Sequence, residues 1–396
     1  MESGIKSRIV HILKNNSYAQ FLYIHIMSFV FRLVGLFITT DDKLVLMNGH
    51  GYKYNDSPRA IYEKMKSLGM LKTYDIVWAL NKPENYPDLN VRKVKMDTWE
   101  YFLIALKAKY WISCVNIERG LHFKKKETIY LNTWHGALIN LCGNAVENRD
   151  DFRWDYINYF CACSDFEVPF IERDFGVRCE SIIKTGYPRN DELYQSTEEK
   201  RKMYRRKFGI PDDKKVIVYA PTWRETSDGG ATYKLIPPID WDLWKRELGD
   251  QYVILLRTHP YTTKLMNVVF DEFVRDYSSY PEINHLLIVS DLLISDYSST
   301  ILDYAILEKP IICFGYDYSS YNKKRGFYYD LDATIPGGVV ENQYDVIKRI
   351  QTMDYDFEKR VVSEFKKKHM EYGGNATIQC INMVFGTNYK EEDIHD

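Results

Sequence analysis

Four short polar clusters carry the residue types that could do chemistry, and each follows an apolar run typical of a buried strand. In open α/β sheets, ligands bind beyond the carboxyl ends of the strands, so the clusters are expected at the same kind of place. Two histidines and two arginines among them suit an anionic diphosphate, although each alone would more often be a packed or ion-paired residue. The clusters are Trp134-His135-Gly136, Pro221-Thr222-Trp223-Arg224, Arg257-Thr258-His259-Pro260 and Asp296-Tyr297-Ser298-Ser299.

The last cluster lies within a predicted strand–helix–strand unit. Leu292–Ser295 is a short apolar strand, Thr300–Leu307 is helical in pattern, and Pro310–Phe314 is the next strand. Such a unit implies parallel strands with a right-handed crossover. Hydroxyls at the start of the helix suit a phosphate, which the helix N-terminus attracts. The alternative is that Ser299 or Thr300 only caps the helix, with Asp303 closing a capping box.

The remaining pattern predicts an α/β protein with parallel sheets. Strands and helices alternate along the chain, and a charged segment over Gln195–Asp213 is a domain hinge or a solvated helix. The other predicted strands are Lys43–Met47, Tyr74–Leu80, Val91–Lys95, Tyr110–Cys114, Thr128–Asn132, Ser181–Thr185, Val216–Ala220 and Tyr252–Leu256. The other predicted helices are Pro58–Leu68, Trp99–Ala108, Asp165–Phe175, Tyr344–Met353 and Tyr355–Tyr372.

Length and composition exclude several classes of protein. A chain of 396 residues suits two domains, and a net charge of -2 gives no global field for nucleic acid. The seven cysteines form no CxxC pair, which favours reduced thiols over disulfides or a zinc site. The absence of G-x-G-x-x-G and of a P-loop argues against dinucleotide oxidoreductases and P-loop kinases.

The N-terminal segment, residues 1–40, differs from the rest. Phe21–Ile38 is apolar and aromatic but interrupted by His25 and Arg32. Residues 1–40 contain four basic residues and one acidic residue. A spanning helix needs about 20 mostly uncharged apolar residues. The pattern therefore favours an amphipathic helix lying in an anionic membrane surface, with a core helix as the alternative.

Taken together, the short motifs resemble the CDP-glycerol glycerophosphotransferase family, whose members build teichoic acids and related polyol-phosphate polymers. They occur in the family's order over roughly residues 43–374, and the chain resembles the family's shorter members. One departure is that the family usually continues its Trp-His-Gly with Thr-Pro-Leu-Lys, whereas Ala137-Leu138-Ile139-Asn140 stands here. The matching pieces are His50-Gly51, Tyr54-Asn55-Asp56-Ser57-Pro58, Thr133-Trp134-His135-Gly136, Gly186-Tyr187-Pro188-Arg189-Asn190-Asp191, Tyr219-Ala220-Pro221-Thr222-Trp223-Arg224, Arg257-Thr258-His259-Pro260, Ser295–Asp303 and Arg325-Gly326-Phe327-Tyr328.

The resemblance implies an α/β, GT-B-like architecture, with two Rossmann-like domains and a cleft between them. We expect a membrane-associating helical segment over residues 1–40, an acceptor-side domain over 41–205 and a donor-binding domain over 206–396. The implied reaction moves glycerol phosphate from CDP-glycerol to a hydroxyl of a membrane lipid-linked saccharide or a growing polyol-phosphate chain. CMP leaves as the acceptor oxygen attacks the β-phosphorus.

Site residues follow from this resemblance. His135 is assigned as the general base, because histidine suits proton transfer near neutral pH. His259 and Arg257 are expected to hold the donor diphosphate with help from Thr222 and Arg224, while Ser298 and Ser299 bind its phosphates. The expected supporting residues are Gly136, Asp296, Asp303 and Arg325, of which Asp296 and Asp303 are taken as structural.

No cofactor is expected to be required. Mg²⁺ is compatible with the reaction, but no carboxylate pair indicates it. The expected partners are CDP-glycerol, the acceptor and the cytoplasmic face of the cell membrane, to which the protein would bind peripherally; a homo-oligomer is left open. Two alternatives remain open. One is transfer of ribitol phosphate, or of a sugar from a nucleotide sugar, on the same fold, and the other is a non-catalytic membrane-associated binding module.

Overall fold

Thirteen strands lie in the part of the chain that the computed structural model describes, which is residues 16–147, 149–222, 224, 237–258 and 266–393. Most are short apolar segments whose side chains are buried, as in sheets covered on both faces. The strands are β1 Asp41–Asn48, β2 Asp75–Leu80, β3 Arg92–Lys95, β4 Ala108–Ser113, β5 Ile129–Asn132, β6 Tyr159–Cys161, β7 Ile182–Ile183, β8 Lys215–Ala220, β9 Tyr252–Leu256, β10 Val274–Asp276, β11 Leu292–Ser295, β12 Ile311–Phe314 and β13 Val339–Val340.

Helices alternate with these strands, and several begin at a side-chain cap. Thr98 and Asn342 each accept a hydrogen bond from a backbone N–H in the first turn of their helix. The α-helices in the described ranges are α1 Ser17–Leu36, α2 Asp56–Ser67, α3 Trp99–Lys107, α4 Val168–Phe175, α5 Asp191–Tyr194, α6 Glu198–Lys207, α7 Trp241–Leu248, α8 Ile283–Val289, α9 Thr300–Ala305, α10 Tyr318–Arg325, α11 Leu331–Thr334, α12 Gln343–Thr352, α13 Tyr355–His369 and α14 Ala376–Phe385.

The chain forms two compact units. The first comprises the chain up to His135, Ile157–Cys161 and the chain from Thr377 onward, and the second comprises Gly136–Tyr156 and Ala162–Ala376. The domain ranges expected from the sequence, with boundaries after residues 40 and 205, stay a prediction about folding domains.

In the first unit, six strands form a parallel sheet in the order β3-β2-β1-β4-β5-β6. Strands β2 and β3 extend the sheet on one side of β1, whereas β4, β5 and β6 extend it on the other side. The strand order therefore reverses between β1 and β4. Loops that follow strands on either side of such a reversal bound the usual ligand site of an open parallel sheet. His50 begins the turn just after β1, and His135 lies three residues after β5.

In the second unit, six strands form a parallel sheet in the order β10-β9-β8-β11-β12-β13. The short strand β7 also belongs to this unit. Here the reversal falls between β8 and β11. The loop after β8 carries Thr222 and Arg224, and the loop after β11 carries Asp296–Ser299. Two of the predicted polar clusters therefore flank the reversal point of this sheet.

Helix α1 packs one side against the first unit and exposes the other. Phe31 is buried, with its ring centroid 4.5 Å from that of Phe102, and Arg32 Nε donates to the His122 carbonyl at 2.6 Å. The segment Tyr18–Leu36 is long and apolar enough to cross a membrane by length and composition. The large side chains that it exposes are Tyr18, Phe21, Leu22, Tyr23, Ile26, Phe29, Leu33 and Leu36.

The predicted α/β class with parallel sheets is confirmed, and the predicted bounds of Tyr252–Leu256 and Leu292–Ser295 match β9 and β11. Two differences have physical causes. Helix α4 begins at Val168 rather than Asp165, because Pro169 occupies its first turn, where proline is favoured. The sheet-edge strands β10 and β13 were not predicted, since two or three residues are too few to show a periodic pattern.

Candidate active site

In the first unit, buried polar side chains join the carboxyl ends of β1, β4 and β5. Ser113 Oγ donates to Asn48 Oδ1 at 2.6 Å, and Asn132 Nδ2 donates to the Val115 carbonyl at 2.7 Å. Asn132 Oδ1 accepts the N–H of Trp134 at 2.8 Å. Leaving a buried polar group unpaired costs about 1–3 kcal/mol, so these bonds hold the start of the loop at Trp134 in place.

His135 lies in this loop and is half-buried. Its Nδ1 is 2.9 Å from the Cys114 carbonyl oxygen. Because a carbonyl oxygen only accepts hydrogen bonds, the neutral ring carries its proton on Nδ1, and Nε2 is the unprotonated nitrogen. Trp134 holds a left-handed backbone with φ of 51°, a conformation that residues other than glycine adopt at some cost in free energy. The arrangement provides the tautomer that a general base requires.

His50 is a second histidine at the same edge of the sheet. Its ring centroid lies 4.8 Å from that of His135. In the sequence, His50 belongs to one of the family motifs, but no role is predicted for it. Its position directly after a predicted strand was the available signal, because the other candidate clusters had been found by that criterion.

In the second unit, the turn after β11 is organised by Ser298 rather than by Ser299. Ser298 Oγ donates to Thr300 Oγ1 at 2.9 Å and accepts the N–H of Thr300 at 3.2 Å. Ser299 occupies the N-cap position of α9, but its side chain makes no capping hydrogen bond. The Asp303 carboxylate instead binds Arg189 Nη2 at 2.6 Å and Asn190 Nδ2 at 2.7 Å. The alternative in which Ser299 caps α9 and Asp303 closes a capping box is therefore wrong.

Gly136 lies against Ser299 within the second unit. A Cβ added to Gly136 would lie 2.5 Å from Ser299 Oγ and 3.2 Å from Arg189 Nη2, and the glycine has φ of 149°. Only glycine allows this close approach of backbone to hydroxyl. The structure thus brings Gly136, Ser299 and Asp303 together, with Arg189 joining them. Arg189 had been quoted only within a family motif, and its contact with Asp303 joins residues 114 positions apart.

Arg224 and Asp296 belong to a buried charge cluster that also contains Asp317. Arg224 Nε and Nη2 donate to the two Asp317 carboxylate oxygens at 2.9 and 2.8 Å. Arg224 Nη1 donates to the Thr222 carbonyl at 2.9 Å and lies 2.9 Å from Asp296 Oδ2 as an ion-pair contact. Asp296 Oδ1 accepts the N–H of Thr222 at 2.8 Å and also its hydroxyl. The polar groups of Arg224 and Thr222 are engaged with neighbouring residues, and their contact with a diphosphate stays a prediction.

Aromatic rings surround the Arg224 guanidinium. Its carbon lies 4.9 Å from the centroid of Tyr297, 5.3 Å from that of Tyr316 and 5.0 Å from that of Tyr321. Burial alone would lower the pKa of Arg224, but the carboxylates of Asp296 and Asp317 raise it above its usual value. The guanidinium is therefore held charged in a largely dry setting.

Arg257 follows β9 and is partly buried. It donates through Nη1 to the Tyr280 carbonyl, and burial lowers its pKa. Glu282 is the carboxylate whose charge acts on Arg257, but its effect on the pKa is smaller than that of burial. A partly buried guanidinium that has lost part of its hydration suits an anionic ligand. His259, predicted to act beside it, lies outside the described residues.

Arg325 is exposed as the last residue of α10. Among the described residues, no group of three or more histidine, cysteine, aspartate or glutamate side chains is arranged to hold a metal ion. Catalysis without a metal stays a prediction.

Comparison with known proteins connects this arrangement to a family. The profile of a family described as CDP-Glycerol:Poly(glycerophosphate) glycerophosphotransferase matches residues 28–386. The chain is 32% identical to the teichoic acid glycerol-phosphate transferase of Staphylococcus aureus over 85% of this chain and 91% of that protein. It is 33% identical to the teichoic acid poly(glycerol phosphate) polymerase of Staphylococcus epidermidis over 77% of this chain, which corresponds to 44% of that longer protein.

A solved structure agrees with these matches. The wall teichoic acid polymerase TagF superposes with a TM-score of 0.77 and 29% sequence identity, covering 88% of this chain and 89% of that chain. The predicted GT-B-like fold class and the predicted transferase activity are thereby confirmed at the level of the family. The chain belongs to the CDP-glycerol:poly(glycerophosphate) glycerophosphotransferase family, as its motifs predicted.

Proposed function

We propose that the chain transfers glycerol phosphate from CDP-glycerol to a hydroxyl of a lipid-linked saccharide or a growing polyol-phosphate chain. Support comes from family membership and from relatives named as glycerol-phosphate transferases and polymerases of teichoic acid. The observation that carries the mechanism is the hydrogen bond from His135 Nδ1 to the Cys114 carbonyl, which leaves Nε2 as the basic nitrogen. Phosphoryl transfer asks the protein mainly for positioning and charge stabilisation.

In the proposed reaction, the acceptor hydroxyl oxygen forms a bond to the β-phosphorus. The bond between that phosphorus and the bridging oxygen breaks, and the bridging oxygen leaves with CMP. His135 Nε2 takes the hydroxyl proton as the new bond forms. Ser298, Ser299 and Arg257 stabilise the phosphates, because hydroxyl and guanidinium donors to charged oxygens form strong hydrogen bonds. His259 is assigned to the donor diphosphate on the sequence motif alone.

Helix α1 is proposed to hold the protein peripherally on the cytoplasmic face of the membrane. Its exposed side chains form an apolar and aromatic surface, while Phe31 on its other side is buried against the first unit. Apolar side chains of this kind insert at the boundary of headgroups and acyl chains. The protein would then reach a lipid-linked acceptor while that acceptor stays in the membrane.

A donor panel tests the proposed function. The purified chain is incubated with CDP-glycerol, CDP-ribitol or a nucleotide sugar, together with a lipid-linked acceptor in vesicles, and nucleotide release is measured. CDP-glycerol is expected to give CMP at the highest rate. Preference for CDP-ribitol would favour the ribitol alternative, which has support from relatives named as ribitol-phosphate polymerases. Release of no nucleotide from any donor would favour a non-catalytic binding module.

A further inference from the structure

Asp317 was singled out by no sequence motif, yet its carboxylate accepts three hydrogen bonds beside the turn after β11. It accepts two hydrogen bonds from Arg224, at 2.9 and 2.8 Å, and one from the Tyr297 hydroxyl at 2.9 Å. The exposed fractions of the Asp317 and Arg224 side chains are 6% and 5%. A carboxylate this buried is tolerated only because its oxygens are paired.

Asp296 and Asp317 hold Tyr297, the residue before Ser298, at its two ends. Asp296 Oδ1 accepts the N–H of Tyr297 at 2.7 Å, and Asp317 binds the hydroxyl at the far end of that tyrosine. Tyr297 is thus held at its backbone and at the tip of its side chain. Ser298 follows directly, so these two contacts hold the residue from which the serine turn begins.

Arg224 connects three loops at one edge of the second sheet. It follows β8, Asp296 follows β11, and Asp317 follows β12. The loops after β8 and β11 flank the point where the strand order reverses, which is the usual ligand position in such a sheet. Because the guanidinium is enclosed by three tyrosine rings and two carboxylates, its role is to join these loops rather than to reach a ligand.

We infer that Asp317 is a positioning residue. Through Arg224 and Tyr297, it holds the Ser298–Ser299 turn in the conformation that binds the donor diphosphate. The inference rests on the proposed function, because it takes CDP-glycerol as the ligand of the turn. The inference assigns different roles to the predicted donor-binding residues. The serines contact phosphate, and Arg224 holds the turn that carries the serines.

The test measures CDP-glycerol affinity by calorimetric titration of Asp317→Asn and wild type. The substitution keeps the shape and removes one buried charge, so Arg224 loses a bidentate partner and the turn loses its support. Donor affinity is expected to fall about tenfold or more, the effect of losing hydrogen bonds to charged groups. Tyr297→Phe, which removes only the hydroxyl bond, is expected to weaken binding by a smaller factor and provides a milder variant if Asp317→Asn does not fold.

A double-mutant cycle distinguishes positioning from general stabilisation. In a Ser298→Ala/Ser299→Ala background, Asp317→Asn is expected to have little further effect on donor affinity, because its action passes through the serines. The matched control is Glu358→Gln, which breaks the partly buried Glu358–Arg349 ion pair of the same unit at 3.1 Å. That variant is expected to lower the melting temperature and leave donor affinity unchanged.

The outcomes are separable. Wild-type protein that neither binds CDP-glycerol nor releases CMP would contradict the proposed function itself. Wild-type binding with unchanged affinity in Asp317→Asn and Tyr297→Phe would overturn only the positioning role. Equal losses of affinity from Asp317→Asn with and without the serines would also overturn it, since the effect would then not pass through the turn.

Discussion

At the residue scale, the hydrogen bond to the Cys114 carbonyl sets the tautomer of His135. It places the proton on Nδ1 and makes Nε2 the nitrogen that can accept a proton from an acceptor hydroxyl. The neighbouring ring of His50, with its centroid 4.8 Å away, restricts the orientation of the imidazole further. The His135 imidazole is therefore oriented by contacts within the first unit.

His135→Ala should lose turnover while CDP-glycerol affinity stays near that of wild type. Removing a general base typically lowers the rate by about 10²–10⁴-fold. His135→Asn is a matched variant, because an amide can still donate to the Cys114 carbonyl but has no basic nitrogen. It should be as slow as His135→Ala. The measurements are steady-state turnover and direct donor binding.

The companion variant is His259→Ala, which is expected to lose donor affinity as well as turnover, since a contact to diphosphate exists before the chemistry begins. Loss of donor binding in His135→Ala with normal binding in His259→Ala would reverse the two assignments. Near-normal turnover in both variants would rule out the proposed mechanism.

Ser298→Ala/Ser299→Ala should weaken CDP-glycerol binding by tens-fold or more, because each hydrogen bond to a charged group contributes about 1.5–3 kcal/mol. Ser290→Ala is the control, since Ser290 Oγ bonds the Leu287 carbonyl and the Tyr304 hydroxyl inside the second unit. The control should lower thermal stability without changing affinity. Loss of stability alone in the double variant would indicate a structural role for the turn.

The residues that follow strongly apolar strands, such as His135 and Ser298, could be predicted from the sequence. The sequence did not identify Asp317 or Arg189, whose importance lies in contacts with residues 93 and 114 positions away in the chain. No local pattern encodes such contacts. Arg224 shows the same limit, because its type and position predict a contact with phosphate but do not show its pairing with Asp296 and Asp317.

At the element scale, the bounds of the central strands were predicted well because their residues are apolar on both faces. The edge strands β10 and β13 and the helices α8, α10 and α11 are short or mixed in polarity, so periodicity did not predict them, whereas α9 was predicted as Thr300–Leu307. Helix α1 packs one side against the first unit and exposes an apolar side. Composition alone does not show which residues lie on which side.

Replacing the exposed residues Phe21, Ile26, Phe29 and Leu33 of α1 with serine should release the protein from vesicles of anionic phospholipid. Phe31 is left in place, so the contact of α1 with the first unit is retained. Removal of residues 1–40 should give the same release, together with poor activity on membrane-embedded acceptor and retained donor binding. Flotation with vesicles is the measurement.

Wild-type protein that stays out of the vesicle fraction would contradict membrane association. Wild-type protein that remains wholly in the bilayer after carbonate washing would indicate a spanning helix instead of peripheral binding.

Helix α13 ends at a histidine that should make folding stability depend on pH. Burial, followed by the charge of Lys368, lowers the pKa of His369 from 6.5 to about 4. Its Nε2 is buried without a hydrogen-bond partner among the described residues. Between pH 6.5 and 4, the unfolded chain binds a proton that the folded chain does not, so stability should fall as the pH is lowered through this window.

His369→Phe keeps an apolar ring among the neighbouring rings of Phe166 and Phe365 and removes the titration. Its melting temperature should therefore fall less steeply than that of wild type as the pH is lowered from 6.5 to 4. Melting curves at neutral pH control for altered packing. An unchanged pH dependence in the variant would contradict the role of His369.

At the scale of the whole molecule, two parallel α/β sheets each present polar loops at the carboxyl ends of their strands. The first unit carries two histidines after its strands, and the second unit carries hydroxyl, guanidinium and carboxylate groups after its own strands. A net charge of -2 provides no general attraction for an anionic donor, so donor binding must depend on these local groups. The short motifs and their order were enough to predict the family, whereas the contacts among the site residues required the structure.

The most direct test of the account is a balance of donor consumed against acceptor extended. The purified chain is supplied with CDP-glycerol and a lipid-linked acceptor in vesicles, CMP is quantified by chromatography, and the acceptor is analysed by mass spectrometry. We predict one CMP released for each glycerol phosphate added to the acceptor, with both signals reduced together in His135→Asn. CMP release without growth of the acceptor would contradict the proposed transfer of glycerol phosphate. Growth of the acceptor that is unaffected by His135→Asn would contradict the role of His135 as the base.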